Sequence, residues 1–493
     1  MTVVLETRRD ITLDSFRRAA WQGEAVRLHD RAVAAIDGAR RAFLSLLDSD
    51  PGVVVYGVTS GYGQMAHLRF TPEERRDHAR RPPVATMTSF GEPLPERLAR
   101  GMVLARLANF VEGHAAVSPD LARAVAGLLD GRPLPPVPAL GNGCPGEIQA
   151  LGHLFSGLYA EIEAGRLAPL GEKESLALVN GSPCAAALAA DAALAARRRL
   201  SLAVAVFALS VEALKAPLEH YDAALDALWE DPGEGAALGL LRGWLDGAAA
   251  ERRAYQAPVS WRILPRVLGQ AWRAVSQGEE VAAISLRAVS DNPVFLPPDA
   301  AAPAGRVLST GGFHNARAYP ALDNLAAAWA DLTLLCDRHV TKLLDPRTSL
   351  LPAYLSRSGE GHMATGDGYI GCLGFAAAGY AEQARLAAGR HFLPGSEGGG
   401  FGQNDVAVPT FLAWRGEAEA GRCLDAGLAL LAAVASQAFH VSERAAPPRL
   451  APLLAEVREA CPPLTAPRPL AGEVERLAGR FTAKAFAEPI TTP

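Results

Sequence analysis

Residues 137–155 read VPALGNGCPGEIQALGHLF. The first half is an approach punctuated by glycine and proline; from Ile148 onward apolar residues recur at three- and four-residue spacing, the pattern of a helix. Pro145 suits a first helical turn, and Glu147 falls where the helix dipole favours an acid. Cys144 is therefore expected at or just before a helix N-terminus, where backbone N–H groups favour the thiolate. A free cysteine is equally suited to be a small buried hydrophobe.

Outward from this stretch the chain alternates long helical patterns with glycine- and proline-rich loops. Apolar residues at helical spacing run from Glu96, and Ser118-Pro119 supplies an N-cap followed by an N1 proline. Further helical patterns cover roughly 186–230, 266–289, 316–343, 368–390 and 411–441, and few stretches alternate with period two. The loops lie at Tyr56–Gly63, Pro133–Gly146, Asn180–Pro183, Thr310–Phe313 and Pro394–Asn404, and loops on a rigid scaffold are where function concentrates. The expected architecture is mainly α: a long-helix bundle with a loop-rich N-terminal cap. We divide it into a loop-rich part over 1–190, a central bundle over 191–445 and a helical tail over 446–493.

Composition agrees. Of 493 residues 49% are hydrophobic but only 6% aromatic, so the interior is built from small and branched aliphatic side chains. Lysines and arginines number 48 against 53 acids, giving a net charge of −5, and they are dispersed, which argues against a nucleic-acid partner. The six cysteines form no CxxC pair and no spacing of metal ligands, so a reduced, cytoplasmic protein without a bound metal is expected. No signal-peptide pattern opens the chain, and the longest apolar runs are shorter than the ~20 residues of a membrane span. A broad apolar helix surface would be buried by self-association.

Several loops could carry chemistry. In VVVYGVTSGYGQMAHLRF (53–70) Tyr56 stands beside a glycine that permits positive φ, and a phenol on such a loop can act as acid or base; a surface loop with two packing aromatics is the plainer alternative. ALVNGSPC (177–184) is an Asn-Gly turn in which Asn180 could offer an amide to an oxyanion. In YQAPVSWR (255–262) Gln256 and Arg262 lie six apart, and a guanidinium fork suits a carboxylate, although a solvated arginine is commoner. AVSDNPVF (288–295) precedes a Gly-Gly-Phe-His loop containing Phe313, and GGGFGQND (398–405) leads into Asn404.

Taken in order, YGVTSGYG, FGEPLP, VPALGNGCPGEIQALGHLF, ALVNG, YQAPVSWR, SDNP, GGFHN and GQND resemble the motif series of the histidine/phenylalanine ammonia-lyase family, from about residue 10 to about residue 440. The resemblance implies an elongated helical subunit, a homotetramer, and active sites shared between subunits. It makes Tyr56 the lid tyrosine. Asn180 and Arg262 then hold the substrate carboxylate, Gln256 is the glutamine of the same motif, and Phe313 is the aromatic of the glycine loop.

The resemblance also exposes departures. The family cyclises an internal Ala-Ser-Gly to a methylidene-imidazolone (MIO), an electrophile that captures the substrate amine; here the three positions are Cys144, Pro145 and Gly146. Proline has no β-hydroxyl to lose and no hydrogen on its nitrogen. The family's second tyrosine is Val259, its substrate-selecting histidine Thr86, the middle residue of its Q-(E/Q)-D motif Asn404, and its aspartate after the tripeptide Glu147. The expectation is therefore an enzyme without a cofactor, in which MIO does not form. It would use Tyr56 as acid/base and an Arg262/Asn180 clamp for elimination, conjugate addition, cyclisation or isomerisation of a small carboxylate or amino-acid-derived substrate. Classical ammonia-lyase activity is not expected; a Cys144 nucleophile and a non-catalytic ligand-binding homologue are the alternatives.

Overall fold

The structure is a computed structural model that describes residues 2–253, 255–357, 369–393, 399 and 401–486. The expected loop over 394–404 lies partly, and the end of the tail at 487–493 wholly, outside the described residues. The chain is mainly α-helical, as its patterning predicts. Its long helices are Pro183–Leu214, Leu264–Arg287, Ala318–Leu344 and Thr410–Val441, with Leu373–Ala387 shorter. Two small sheets accompany them: Thr2–Leu5 runs parallel to Ala25–Leu28, and Val294–Leu296 antiparallel to Arg306–Leu308. The helical pattern expected to continue to residue 230 stops at Leu214, because Lys215 takes a left-handed φ of 55° and Pro217 follows. Thr410–Val441 is long and apolar enough to cross a membrane by length and composition, but its most apolar window is 89% buried within the protein, as a core helix would be.

The chain forms two compact units, each assembled from separated stretches. The first comprises Met1–Asp191, Gly278–Pro320 and His391–Trp414; the second comprises Ala192–Gln277, Ala321–Arg390 and Arg415–Pro493.

In the first unit the helix Asp30–Ser49 buries Ala32, Ile36, Ala39, Phe43 and Leu47, a stripe at helical spacing. Phe43 meets Phe295 edge-on, with ring centroids 5.4 Å apart. Val55 and Val58 pack into the same cluster, so the two residues that bracket Tyr56 and Gly57 are anchored in the core. The helix Glu96–Leu107 is buried along nearly its whole length, including the side chains of Arg100 and Arg106.

In the second unit, small residues let helices approach closely: a side chain at Gly427 would stand 3.2 Å from Thr333 Cγ2 and 3.3 Å from Cys336 Cβ. A buried ionic network ties this unit together. Arg199 grips Asp425 through two bonds of 2.9 and 3.1 Å, Thr482 donates to the same carboxylate at 3.0 Å, and Trp329 Nε1 donates to Glu417 at 2.9 Å.

Candidate active site

Tyr56 stands at the base of a closed loop. Phe70 N donates to the Thr59 carbonyl at 3.0 Å and Ser60 bridges Arg69, so the loop's two ends are joined. Below this neck Thr59 Oγ1 donates to Val53 O and accepts from Val55 N, both at 2.8 Å. The half-buried Tyr56 hydroxyl oxygen accepts a 2.8 Å hydrogen bond from the Gly63 amide, inside the loop. A side chain at Gly57 would collide with Leu176 Cδ2 at 2.7 Å, which places this turn against the helix Glu174–Val179 that leads straight into Asn180.

The loop around Cys144 is organised by a residue that the sequence did not single out. Gln149 Oε1 accepts from Cys144 N at 3.0 Å, while its Nε2 donates to the Gly141 carbonyl at 2.9 Å and to Thr88 Oγ1 at 3.2 Å. Gly146 and Glu147 both take left-handed φ, 76° and 56°, so the helix proper starts only at Ile148. The expected thiolate at a helix N-terminus is corrected here. Cys144 lies ahead of that irregular turn, and burial pushes its thiol up to about 11. Glu147, expected in the first turn of its own helix, instead reaches another: its carboxylate accepts from Cys184 N at 2.6 Å and Ala185 N at 2.8 Å, capping Pro183–Leu214. Burial raises Glu147 to about 7, against the lowering effect of those two amides.

Asn180 lies beside this loop. A side chain at Gly146 would come 2.9 Å from Asn180 Nδ2, and Asn180 Oδ1 is buried without a hydrogen-bond partner. The following Gly181 has φ 130°, and any side chain there would fall on Arg106 Nη2 and within 3.1 Å of Ser290 Oγ, so only glycine fits. Ser290 Oγ accepts from Ser182 N at 3.0 Å, and Asn109 Oδ1 accepts from Ser290 N at 2.7 Å, which stitches the Asn180 turn to the Ser290-Asp291-Asn292 turn. Under both lie buried charges. Lys173 Nζ donates to Asp291 Oδ2 at 2.5 Å with both side chains fully buried, and Arg106 Nη1 donates to the Ala177 carbonyl at 2.5 Å. Burial pushes the Lys173 ammonium down, and Asp291 opposes that shift.

Phe313 is half-buried on a loop that Asn292 holds in place, its Oδ1 accepting from Thr310 N at 2.8 Å. Thr86 abuts Gly152 of the helix Ile148–Leu154 and donates to the Pro83 carbonyl at 2.7 Å. Asn404, also in the first unit, donates its backbone N–H to Gly399 O at 3.2 Å. In the first unit Gly146 thus lies against Asn180, and the Tyr56-Gly57 turn lies against the helix that leads into Asn180. Gln256, Val259 and Arg262 belong to the second unit. There Gln256 is exposed, Val259 is 57% exposed, and Arg262 is half-buried, with its Nε donating to the Ala257 carbonyl at 3.1 Å. Among the described residues no cluster of three or more His, Cys, Asp or Glu side chains could hold a metal.

Gln149, Arg106 and Lys173 were not foreseen from sequence. Arg106 did leave a signal, as a charge inside the apolar run MVLARLANFV, where a cation has to find buried acceptors.

A family model described as aromatic amino acid lyase matches residues 11–461. A histidine ammonia-lyase from Deinococcus radiodurans is 31% identical over 71% of this chain and 70% of its own length. One from Aromatoleum aromaticum is 29% identical over 99% of this chain and 95% of its own. The crystal structure of histidine ammonia-lyase from Trypanosoma cruzi superposes with a TM-score of 0.84, covering 99% of this chain and 94% of that one at 21% identity, which speaks to the fold alone. These relatives correct three expectations drawn from Cys144-Pro145-Gly146. Ammonia-lyase activity, not expected from the tripeptide, is the reading their names favour. Chemistry independent of the family's self-made prosthetic group, and the absence of that group, lose their support with it. The Cys144 nucleophile and the non-catalytic homologue fall as well, the former also on the raised thiol. Pro145 still departs from the family pattern, having no side-chain hydroxyl, so the roles given below belong to this chain's own side chains and backbone and none is routed through that group.

Proposed function

The chain belongs to the aromatic amino acid lyase family, and on that premise we propose that it is an ammonia-lyase acting on an amino acid of the histidine or aromatic class. The reaction removes a proton and the amine from adjacent carbons. The C–H bonding pair becomes the new C=C bond as the C–N bond breaks, and the amine departs as ammonia, leaving an α,β-unsaturated acid.

The observation that carries this reading is Tyr56, with the Gly63 amide on its oxygen, on a turn that rests against the helix ending at Asn180. Tyr56 takes the proton. Asn180 in the first unit, with an amide oxygen that has no partner, is suited to a substrate ammonium, and Arg262 in the second, with a planar fork, to a carboxylate. Phe313, Thr86 and Asn404 in the first unit, and Gln256 and Val259 in the second, are the further residues assigned to substrate recognition. A homotetramer with shared sites belongs to the proposal. It is supported by apolar residues left on the helix Leu373–Ala387, where Phe375 is 78% and Leu386 77% exposed. A cytoplasmic location is supported by six unpaired cysteines.

The test is direct. Purified protein is incubated in turn with L-histidine, L-phenylalanine and L-tyrosine; released ammonia is measured by an enzyme-coupled assay and the unsaturated acid by mass spectrometry. At least one substrate should yield both products in equal amounts, and Tyr56→Phe should lower turnover by roughly 10²-fold or more while binding survives. Unchanged substrate across the panel, or a fully active Tyr56→Phe, would overturn the proposal.

A further inference from the structure

The short segment that ends at Arg262 is held by side chains from elsewhere in the second unit. The Tyr221 hydroxyl donates to the Trp261 carbonyl at 3.0 Å. Ala257 N donates to His220 Nε2 at 3.4 Å, and the Ala257 carbonyl accepts from Arg262 Nε at 3.1 Å. Trp261 itself is fully buried, and its indole lies flat on the imidazole of His339, with centroids 3.7 Å apart and planes 2° from parallel. His339 is equally buried, with Nδ1 2.9 Å from Ser210 Oγ and the ring of Phe207 edge-on at 5.3 Å. The residues flanking this anchor are open: Val259 is 57% and Ile263 39% exposed.

This arrangement suits an imidazole better than a hydrocarbon ring. A stacked phenyl could spin about its own axis, whereas the contact with Ser210 fixes the imidazole's rotation and so the plane on which the indole must lie. Placing a polar ring in a core is costly unless it is hydrogen-bonded; the Ser210 contact meets that requirement at Nδ1, while Nε2 is buried without a hydrogen-bond partner. The consequence is felt one residue later. With Nε committed to the Ala257 carbonyl, the Arg262 guanidinium keeps two Nη atoms that meet no partner among the described residues, and the backbone under Trp261 sets where they lie. A bidentate grip on a carboxylate tolerates little displacement of the fork.

We infer that His339 is a positioning residue for Arg262, acting through the indole of Trp261 to fix the carboxylate-binding fork. The inference rests on the proposal that Arg262 binds the substrate carboxylate. The experiment measures equilibrium binding of L-histidine, L-phenylalanine and L-tyrosine by calorimetry to the intact protein and, for the tightest of these, to Arg262→Ala, His339→Gln, Ser210→Ala and the Arg262→Ala/His339→Gln double variant. Arg262→Ala should weaken binding at least 30-fold, His339→Gln about 10-fold and Ser210→Ala a few-fold, with little change in kcat where turnover is seen. The double variant should bind no worse than Arg262→Ala alone, because His339 acts only through that side chain. Purely structural damage would instead add to the Arg262 effect. If Arg262→Ala binds like the wild type, or no amino acid of the panel binds, the reading of Arg262 fails and the inference with it. If Arg262→Ala is impaired while His339→Gln and Ser210→Ala bind normally, or the losses simply add, the positioning role alone is wrong. Should His339→Gln not fold, Ser210→Ala, which removes only one hydroxyl, decides the matter by the same comparison.

Discussion

Lys173→Met is the perturbation whose cost the structure lets us work out most fully. Lys173 and Asp291 are fully buried and 2.5 Å apart, and Asp291 also accepts from Asn292 N at 2.9 Å, so removing the ammonium strands a carboxylate in the core of the first unit. Breaking a buried pair by deleting one partner costs about 3–5 kcal/mol, because the remaining charge has lost its direct partner and has no solvent; the buried Arg106 guanidinium, which also interacts with Asp291, puts the expected loss toward the lower end. For a unit of this size each kcal/mol lowers the melting temperature by about 2–4 °C, so the first unfolding transition should fall on the order of 10 °C. Differential scanning calorimetry reads this directly, provided transitions are compared at one scan rate. The decisive comparison is Lys173→Met/Asp291→Asn, in which both members of the pair are neutral and the acceptor for Asn292 N is kept. It should recover at least half of the loss. A single variant that melts within 2 °C of the wild type, or a double variant as unstable as the single, would refute the assignment of a buried ion pair under the Asn180 turn.

Gly181→Ala should destabilise by about 2–5 kcal/mol, from the left-handed strain together with overlap on the Arg106 guanidinium, and a loss under 0.5 kcal/mol in the same calorimetric comparison would contradict the close approach. Alkylation with iodoacetamide at pH 7.5 should modify the exposed Cys372 and spare Cys144, whose thiol sits at about 11; peptide mapping that finds Cys144 labelled first would reverse that reading. Burial holds His339 far below its ordinary value, at about 3, so the folded protein binds fewer protons at this site than the unfolded chain does. Stability from this group is full above about 6.5 and is lost as the pH falls from there toward 3. His339→Gln should flatten that acid limb of the melting curve, and an identical acid limb in the variant would count against it.

How far the sequence reached depends on range. Local signals were read correctly: Ser118 caps its helix by accepting from Leu121 N at 3.2 Å, with Pro119 as the first helical residue, as the Ser-Pro pair implied. The ordered loop motifs also led to the family. What failed involved groups brought together from distant positions. Glu147 looked like an acid in the first turn of the following helix, yet two left-handed residues turn it toward Cys184 and Ala185, 37 and 38 positions on. Cys144 was judged by its nearness to a helix start in sequence, and its thiol is governed by burial that no local pattern encodes. Arg106 and Lys173 were hidden for the same reason, since a cation is read as surface unless its partners, Ala177 and Asp291, are known.

The neck under the Tyr56 loop has a consequence for how such a site can be altered. Because Phe70 N meets the Thr59 carbonyl and Ser60 bridges Arg69, the segment between them is a cassette closed on itself. Its length can change for about 0.6 kcal/mol per doubling, without disturbing Val55 and Val58 in the core. Tyr56 sits on the core side of that closure, but its donor, Gly63, sits within the cassette. Exchanging the cassette would therefore leave the phenol in place while changing the amide that attends its oxygen, so the surroundings of that oxygen and its location are set by separable pieces of chain.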